Sequence, residues 1–123
     1  MFQWLTQRKR SFGYAFSGVW ALFSTQPHAL IHAVAACVVV AVGIYLGIDK
    51  VEWAILILTI GVVIALEAMN TAIEFLADAV HPDQHPLIGK AKDVAAGSVL
   101  IASIAAACIG VVIFYPYILQ KII

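Results

Sequence analysis

Three long apolar stretches dominate the chain, and polar residues, proline or glycine separate them. The first covers residues 29–48, and His32 is its only strongly polar residue. The second begins at Trp53, and the third lies within 93–116. A helix needs roughly 20 apolar residues to cross the ~30 Å hydrocarbon core of a bilayer. The pattern predicts three membrane helices, at 29–48, 53–80 and 93–116.

A shorter amphipathic segment precedes the first span. From Phe12 onward the apolar residues recur with helical spacing, and small or polar residues occupy the other side. A run of three basic residues at 8–10 comes just before it. Basic residues beside an aromatic-rich amphipathic helix are typical of a helix in the membrane interface. We expect an interfacial helix at 11–25, ended by Pro27, and an all-α membrane protein whose residues 1–123 form a single domain.

Composition strengthens this interpretation. Of the residues, 63% are hydrophobic and 11% are charged, whereas soluble domains have about 45–50% and about 25%. A chain of 123 residues cannot hide that apolar excess in a soluble core. The seven basic and seven acidic residues cancel, and nucleic-acid binding needs a concentrated basic surface, so we expect no nucleic-acid partner.

The positions of the basic residues predict the orientation. If the N-terminus is cytoplasmic, the basic run at 8–10 lies inside together with Lys90 and Lys92, and only Lys50 and Lys121 lie outside. This agrees with the excess of lysine and arginine in cytoplasmic segments. The loop after the second span then faces the cytoplasm, and Lys90–Asp93 is expected to open the third helix with Asp93 as its N-cap.

The second span carries an unusual set of polar residues. Its purely apolar part, Trp53–Leu66, is fourteen residues long and too short to cross the bilayer. The helix must therefore continue through Glu67, Asn70, Glu74 and Asp78, which are spaced three, four and four apart and share one face. A carboxylate inside a span costs ~2.5–3.5 kcal/mol or more and normally marks a function.

The chemistry of this face favours phosphoryl transfer. Carboxylate and amide oxygens without clustered cysteine or histidine suit Mg²⁺. Phosphoryl transfer requires positioning, charge neutralisation and a group that accepts the hydroxyl proton. Lys92, across the predicted loop, is a candidate for neutralising phosphate. The sequence contains no Gly-rich Walker loop, so a soluble-type nucleotide site is excluded.

These residues resemble those of a known family. Glu67-Ala-Met-Asn70-Thr-Ala-Ile-Glu74, with Asp78, His85-Pro86-Leu and the segment from Lys90 to Leu100, closely resemble the bacterial diacylglycerol kinase and undecaprenol kinase family. The resemblance extends to Ser17-Gly18 and Ile31-His32. It implies a small homotrimeric enzyme of the bacterial cytoplasmic membrane, with its site between subunits on the cytoplasmic side. It also implies that ATP and Mg²⁺ are used to phosphorylate diacylglycerol or undecaprenol.

The same resemblance implies roles for individual residues. Glu67 corresponds to the catalytic base, and Glu74 to a metal ligand that also lies in the nucleotide site. The other residues implied in nucleotide binding are Asn70, Asp78, Lys92, Asp93 and Tyr14.

One position departs from the family pattern. Gln26 stands where the family usually has a metal-binding glutamate, and no carboxylate occurs before Asp49. We expect Gln26 to act as a neutral metal ligand. Two alternatives remain open on the sequence alone: a catalytically weakened relative that serves as an assembly or regulatory subunit, and a small transporter. The transporter requires a polar path that the apolar segment 55–66 does not offer.

Overall fold

The computed structural model describes residues 2–123, and Met1, the first residue of the predicted single domain, lies outside them. All regular secondary structure in this range is α-helical. The four helices are α1 (Phe2–Thr25), α2 (Pro27–Leu46), α3 (Lys50–Val80) and α4 (Pro86–Ile122). Helices α2, α3 and α4 are long and apolar enough to cross a membrane, which confirms the predicted fold class.

Helix α1 is longer than predicted, because the basic run belongs to it rather than preceding it. Its residues from Gln3 to Trp20 are all exposed, and Arg8 stacks over Trp4 with 4.5 Å between the guanidinium carbon and the ring centroid. The helix packs on the rest of the molecule through its C-terminal part, where Leu22 is buried. Its location in the membrane interface stays a prediction.

Local sequence explains where α2 and α3 begin. Pro27 occupies the first turn of α2, where its missing N–H costs nothing, and Gln26 is the N-cap. Helix α3 starts at Lys50 rather than at 53, because Asp49 and Glu52 form a capping box. The Asp49 carboxylate accepts hydrogen bonds from backbone N–H groups of the first turn, and Glu52 accepts one from the Asp49 N–H at 2.9 Å.

Helix α4 extends beyond its predicted limits at both ends. It begins at Pro86 with His85 as the N-cap, whose ring Nδ1 accepts from the Leu87 N–H at 3.2 Å. The predicted start at Asp93 with that residue as N-cap is therefore wrong, since proline in a first turn starts a helix. At the other end the helix continues through Pro116, because proline removes one backbone hydrogen bond and membrane helices tolerate that loss.

The chain alone buries little of its surface. A small core of Ile48, Leu56 and Ile113 lies near the α2–α3 turn. The accessible surface is 9229 Å², whereas a compact soluble protein of 13.2 kDa exposes roughly 6400 Å². Many of the exposed side chains are large and apolar, as expected for helices that face lipid.

Candidate functional site

One face of α3 is buried along most of its length. Leu56, Val63, Glu67 and Thr71 are its buried residues, and Glu67 is only 5% exposed. The Thr71 hydroxyl donates to the Glu67 carbonyl oxygen at 3.0 Å, so the Glu67 carboxylate receives nothing from it. Since a buried carboxylate is costly without a partner, this position carries the strongest indication of function in the molecule.

Asn70 and Glu74 follow one and two turns later on the same helix. The Asn70 side-chain NH₂ donates to a Glu74 carboxylate oxygen at 3.3 Å. The Asn70 side-chain oxygen is buried and has no hydrogen-bond partner. Since the great majority of buried polar atoms are hydrogen-bonded, this oxygen is available to a ligand. The structure thus brings together two of the predicted site residues, Asn70 and Glu74, whose oxygens suit a metal ion.

Gln26 lies at about the height of Asn70. Gly43 of α2 approaches the Trp53 ring of α3, and a methyl group added at that glycine would stand 3.0 Å from it. Gln26 lies seventeen residues before Gly43 in α2, and Asn70 lies seventeen residues after Trp53 in α3. Because the two helices run antiparallel, Gln26 and Asn70 stand at about the same height. Gln26 is half-buried and its side chain makes no capping hydrogen bond. Its amide oxygen is therefore free to act as a further metal ligand.

Asp78 and Lys92 form an ion pair between α3 and α4, with 2.9 Å between Nζ and the carboxylate oxygen. Their side chains are 66% and 36% exposed, respectively. Beside them a polar cleft of about 530 Å³ lies between the helix ends, bordered by the loop of residues 81–85. The Lys92 ammonium group and the N-terminus of α4 lie at the edge of this cleft, and both are features that bind phosphate.

Two predicted residues stand apart from this group. Asp93 is exposed on α4, and its side chain makes no hydrogen bond or ion pair within the described residues. Tyr14 is 75% exposed on the part of α1 that precedes its packing contact. Within one chain neither of them is held beside Glu67 or Glu74, and their roles stay predictions.

The donor set fits a hard cation. Among residues 2–123 no group of three or more His, Cys, Asp or Glu side chains is arranged to hold a metal. The oxygens of Glu74, Asn70 and Gln26 nevertheless suit Mg²⁺, which usually takes one or two carboxylates and completes its shell with water and phosphate oxygens.

Sequence reasoning missed two residues that the structure makes candidates. Ser103 of α4 and His32 of α2 line a second, apolar cleft between the spans. The sequence could have indicated His32, because it is the one strongly polar residue of its span. It could not have indicated Ser103, because a serine in an alanine-rich helix does not stand out.

The fold and this site together define a class: an integral membrane protein with a carboxylate site at one end of its helical bundle. A family model described as prokaryotic diacylglycerol kinase matches residues 13–114. The chain belongs to that family, and it is a lipid kinase of a bacterial membrane.

Individual relatives agree with the family assignment. Over 107 residues the chain is 39% identical to the undecaprenol kinase of Bacillus subtilis, and the match covers 87% of each chain. It is 38% identical to a diacylglycerol kinase of Synechocystis, over 92% of this chain and 65% of that one. It is 32% identical to the diacylglycerol kinase of Escherichia coli K12, over 76% and 77%. All three relatives are kinases, so the transporter and the non-catalytic subunit gain no support.

Proposed function

We propose that this protein transfers the γ-phosphoryl group of ATP to the hydroxyl of undecaprenol or diacylglycerol, with Mg²⁺, at the cytoplasmic face of the membrane. The buried carboxylate of Glu67 carries the proposal. It lies eleven residues from the exposed Asp78, a distance of about 16 Å along the helix. This separation supports assigning the membrane-dissolved alcohol to Glu67 and the nucleotide to the Asp78 end of the helix.

The proposed step is a phosphoryl transfer from ATP to the lipid oxygen. The lipid O–H proton passes to the Glu67 carboxylate while the lipid oxygen forms a bond to the γ-phosphorus. The bond from that phosphorus to the bridging oxygen of ADP breaks, and ADP leaves with the electron pair. Glu67 holds the proton until water or ADP takes it, so a lipid phosphate and ADP are the products.

The remaining polar residues hold the nucleotide. Glu74, Asn70 and Gln26 would hold Mg²⁺ through their side-chain oxygens, and the metal would neutralise phosphate charge there. Asp78 and Lys92 border the polar cleft on the water side. Asp93 and Tyr14 complete the nucleotide site in the proposal, and a homotrimer explains how exposed residues of one chain reach the site of another. The large apolar surface that a single chain exposes supports such an assembly.

The test is a side-by-side assay with purified protein in lipid micelles. Transfer of labelled phosphate from ATP to undecaprenol and to diacylglycerol is measured with and without Mg²⁺. Glu67→Gln is expected to abolish transfer to both lipids while ATP binding and folding persist, because glutamine keeps the shape and cannot take the proton. A Glu67→Gln enzyme with near-normal turnover would exclude Glu67 as the base. No transfer by folded wild type would refute the proposed activity.

A further inference from the structure

Two histidine side chains face each other in the loop between α3 and α4. His81 ends α3 as its C-cap, and His85 begins α4 as its N-cap. Their ring centroids are 5.2 Å apart, and the rings meet edge to face. Both residues line the polar cleft of about 530 Å³ that also borders Lys92. The proposed function assigns no role to either histidine.

The His85 ring caps α4 only while its Nδ1 atom carries no proton. Nδ1 accepts a hydrogen bond from the Leu87 N–H at 3.2 Å, and a protonated ring nitrogen has no lone pair to accept it. A proton on this ring also places a positive charge at the N-terminus of a helix, where the backbone dipole opposes it. Histidine side chains ordinarily gain their proton between about pH 8 and pH 5. Acid therefore removes the N-cap of α4.

His81 adds a second response to acid, in the same direction. Its Nδ1 atom lies 2.9 Å from the Asp83 carbonyl oxygen, and this nitrogen is the donor because a carbonyl only accepts. Protonation of His81 leaves that bond intact and puts a positive charge beside the His85 ring. Two charged rings in edge contact repel each other. When both are charged, the histidine that ends α3 therefore pushes away the one that begins α4.

The histidines are the groups of this cleft that respond to mild acid. Among residues 2–123, the other charged side chains that line the cleft are Asp78, Asp83 and Lys92. Carboxylate and ammonium groups do not ordinarily change charge between pH 5 and pH 8. The ion pair of Lys92 with Asp78 joins α3 to α4 about two turns beyond His85. The two helices therefore stay together at that height when the loop opens.

We propose that His81 and His85 form an acid-sensitive latch, which holds the first turn of α4 against the polar cleft at neutral pH and releases it in acid. Pro86, Ile88 and Gly89 of that turn line the cleft, so its release removes one wall. Under the proposed function, on which this consequence rests, acid then weakens nucleotide binding. The latch itself does not depend on the kinase activity.

Hydrogen exchange of backbone amides measures the latch without turnover. The Leu87 N–H bonds to the His85 ring, and the Gly89 N–H donates to the His85 carbonyl oxygen at 2.9 Å. Their protection, relative to an unstructured chain at the same pH, is followed by NMR from about pH 7.5 to about pH 5.5. Loss of the cap is expected to lower it by about 2- to 30-fold. The Trp53 N–H is the internal reference and keeps its protection, because carboxylates rather than histidine cap α3.

Substitutions at position 85 separate the cap from its titration. Asparagine is among the best N-cap residues and does not titrate, so His85→Asn is expected to keep the protection in acid. Alanine cannot cap, so His85→Ala is expected to show at neutral pH the low protection that the wild type shows only in acid. His81→Asn is expected to lose part of the acid effect, because the repulsion between the rings disappears. His28→Asn removes an exposed histidine in α2, and this matched control is expected to respond to acid as the wild type does.

Wild-type protection that stays constant down to about pH 5.5 overturns the latch. An acid effect that persists in His85→Asn does the same, and an undiminished effect in His81→Asn overturns the part assigned to that ring. Loss of protection in acid supports the latch even if neither lipid alcohol is phosphorylated, in which case only the proposed activity fails.

The KM of ATP tests the consequence for the nucleotide. The ratio of this KM in acid to that at neutral pH is expected to be at least twofold smaller in His85→Asn than in the wild type. The same ratio is expected to stay at the wild-type value in His28→Asn. Equal ratios in the two variants overturn the effect of the latch on nucleotide binding.

Discussion

Replacing Asn70 with leucine is expected to stabilise the unliganded protein and to impair the enzyme. The Asn70 side-chain oxygen is buried without a partner, and an unpaired buried acceptor costs about 1–3 kcal/mol. Leucine has nearly the same shape and removes this cost. It also removes the 3.3 Å hydrogen bond to Glu74, which contributes about 0.5–1.5 kcal/mol. The balance lies between about −0.5 and +2.5 kcal/mol and is centred near 1 kcal/mol in favour of the folded state.

The effect on activity has the opposite sign. If the Asn70 oxygen contacts the metal or a phosphate, its loss removes an interaction with a charged group worth about 1.5–3 kcal/mol, or roughly a 10- to 150-fold fall in kcat. Thermal unfolding in one detergent and the phosphate-transfer assay measure the two effects on the same preparation.

Thr71→Val is the matched control for this experiment. Thr71 is buried beside Asn70, but its hydroxyl is already bonded to the Glu67 carbonyl oxygen. The valine variant is expected to lose about 0.5–1.5 kcal/mol of stability and to keep its activity within about threefold. An Asn70→Leu protein that unfolds at a lower temperature than Thr71→Val and turns over normally would refute the reasoning.

Two further outcomes follow from the contacts. Lys92→Met is expected to raise the KM of ATP and not that of the lipid, because it removes the cation beside the polar cleft. Lys90→Met is the control, and equal effects in both variants would assign the result to net charge alone. Gly43→Ala is expected to destabilise the protein by about 1–3 kcal/mol, since the added methyl group stands 3.0 Å from the Trp53 ring. Gly61→Ala, where the methyl group meets open space, should be neutral or stabilising in thermal unfolding, and equal losses in both variants would contradict the close packing.

Periodicity predicted the four helices and their order correctly, because lipid-facing helices have few alternatives once their apolar length is known. The helix ends were less predictable. The predicted spans begin at 53 and 93 and so leave out Pro86 and the charged residues around Asp49, whereas proline in a first turn and a capping box both start helices. Proline and charged residues therefore occur both in loops and at helix starts, and only the conformation of the neighbouring backbone distinguishes the two cases.

The sequence predicted which site residues share one face of α3, but it did not predict which residues pair between helices. The spacing of Glu67, Asn70 and Glu74 determines their common face without any tertiary information. The Lys92–Asp78 pair joins two helices, and Tyr117 donates to a Glu52 carboxylate oxygen 65 positions away in the chain, at 2.5 Å. Such pairings depend on the register of one helix against another, which local periodicity does not contain.

Under the proposed function, the position of Glu67 explains how one helix serves a substrate dissolved in the membrane and another dissolved in water. The residue is only 5% exposed, and a charge on so buried a side chain is tolerated only if it faces a partner or a cavity. One turn before Glu67, Val63 lines the apolar cleft, and in the other direction along α3 the polar residues Asn70 and Glu74 follow. The burial that makes Glu67 costly also keeps water away from it. Under the proposed function, a lipid hydroxyl held at Glu67 is therefore a more accessible acceptor for the phosphoryl group than water, which favours transfer over ATP hydrolysis.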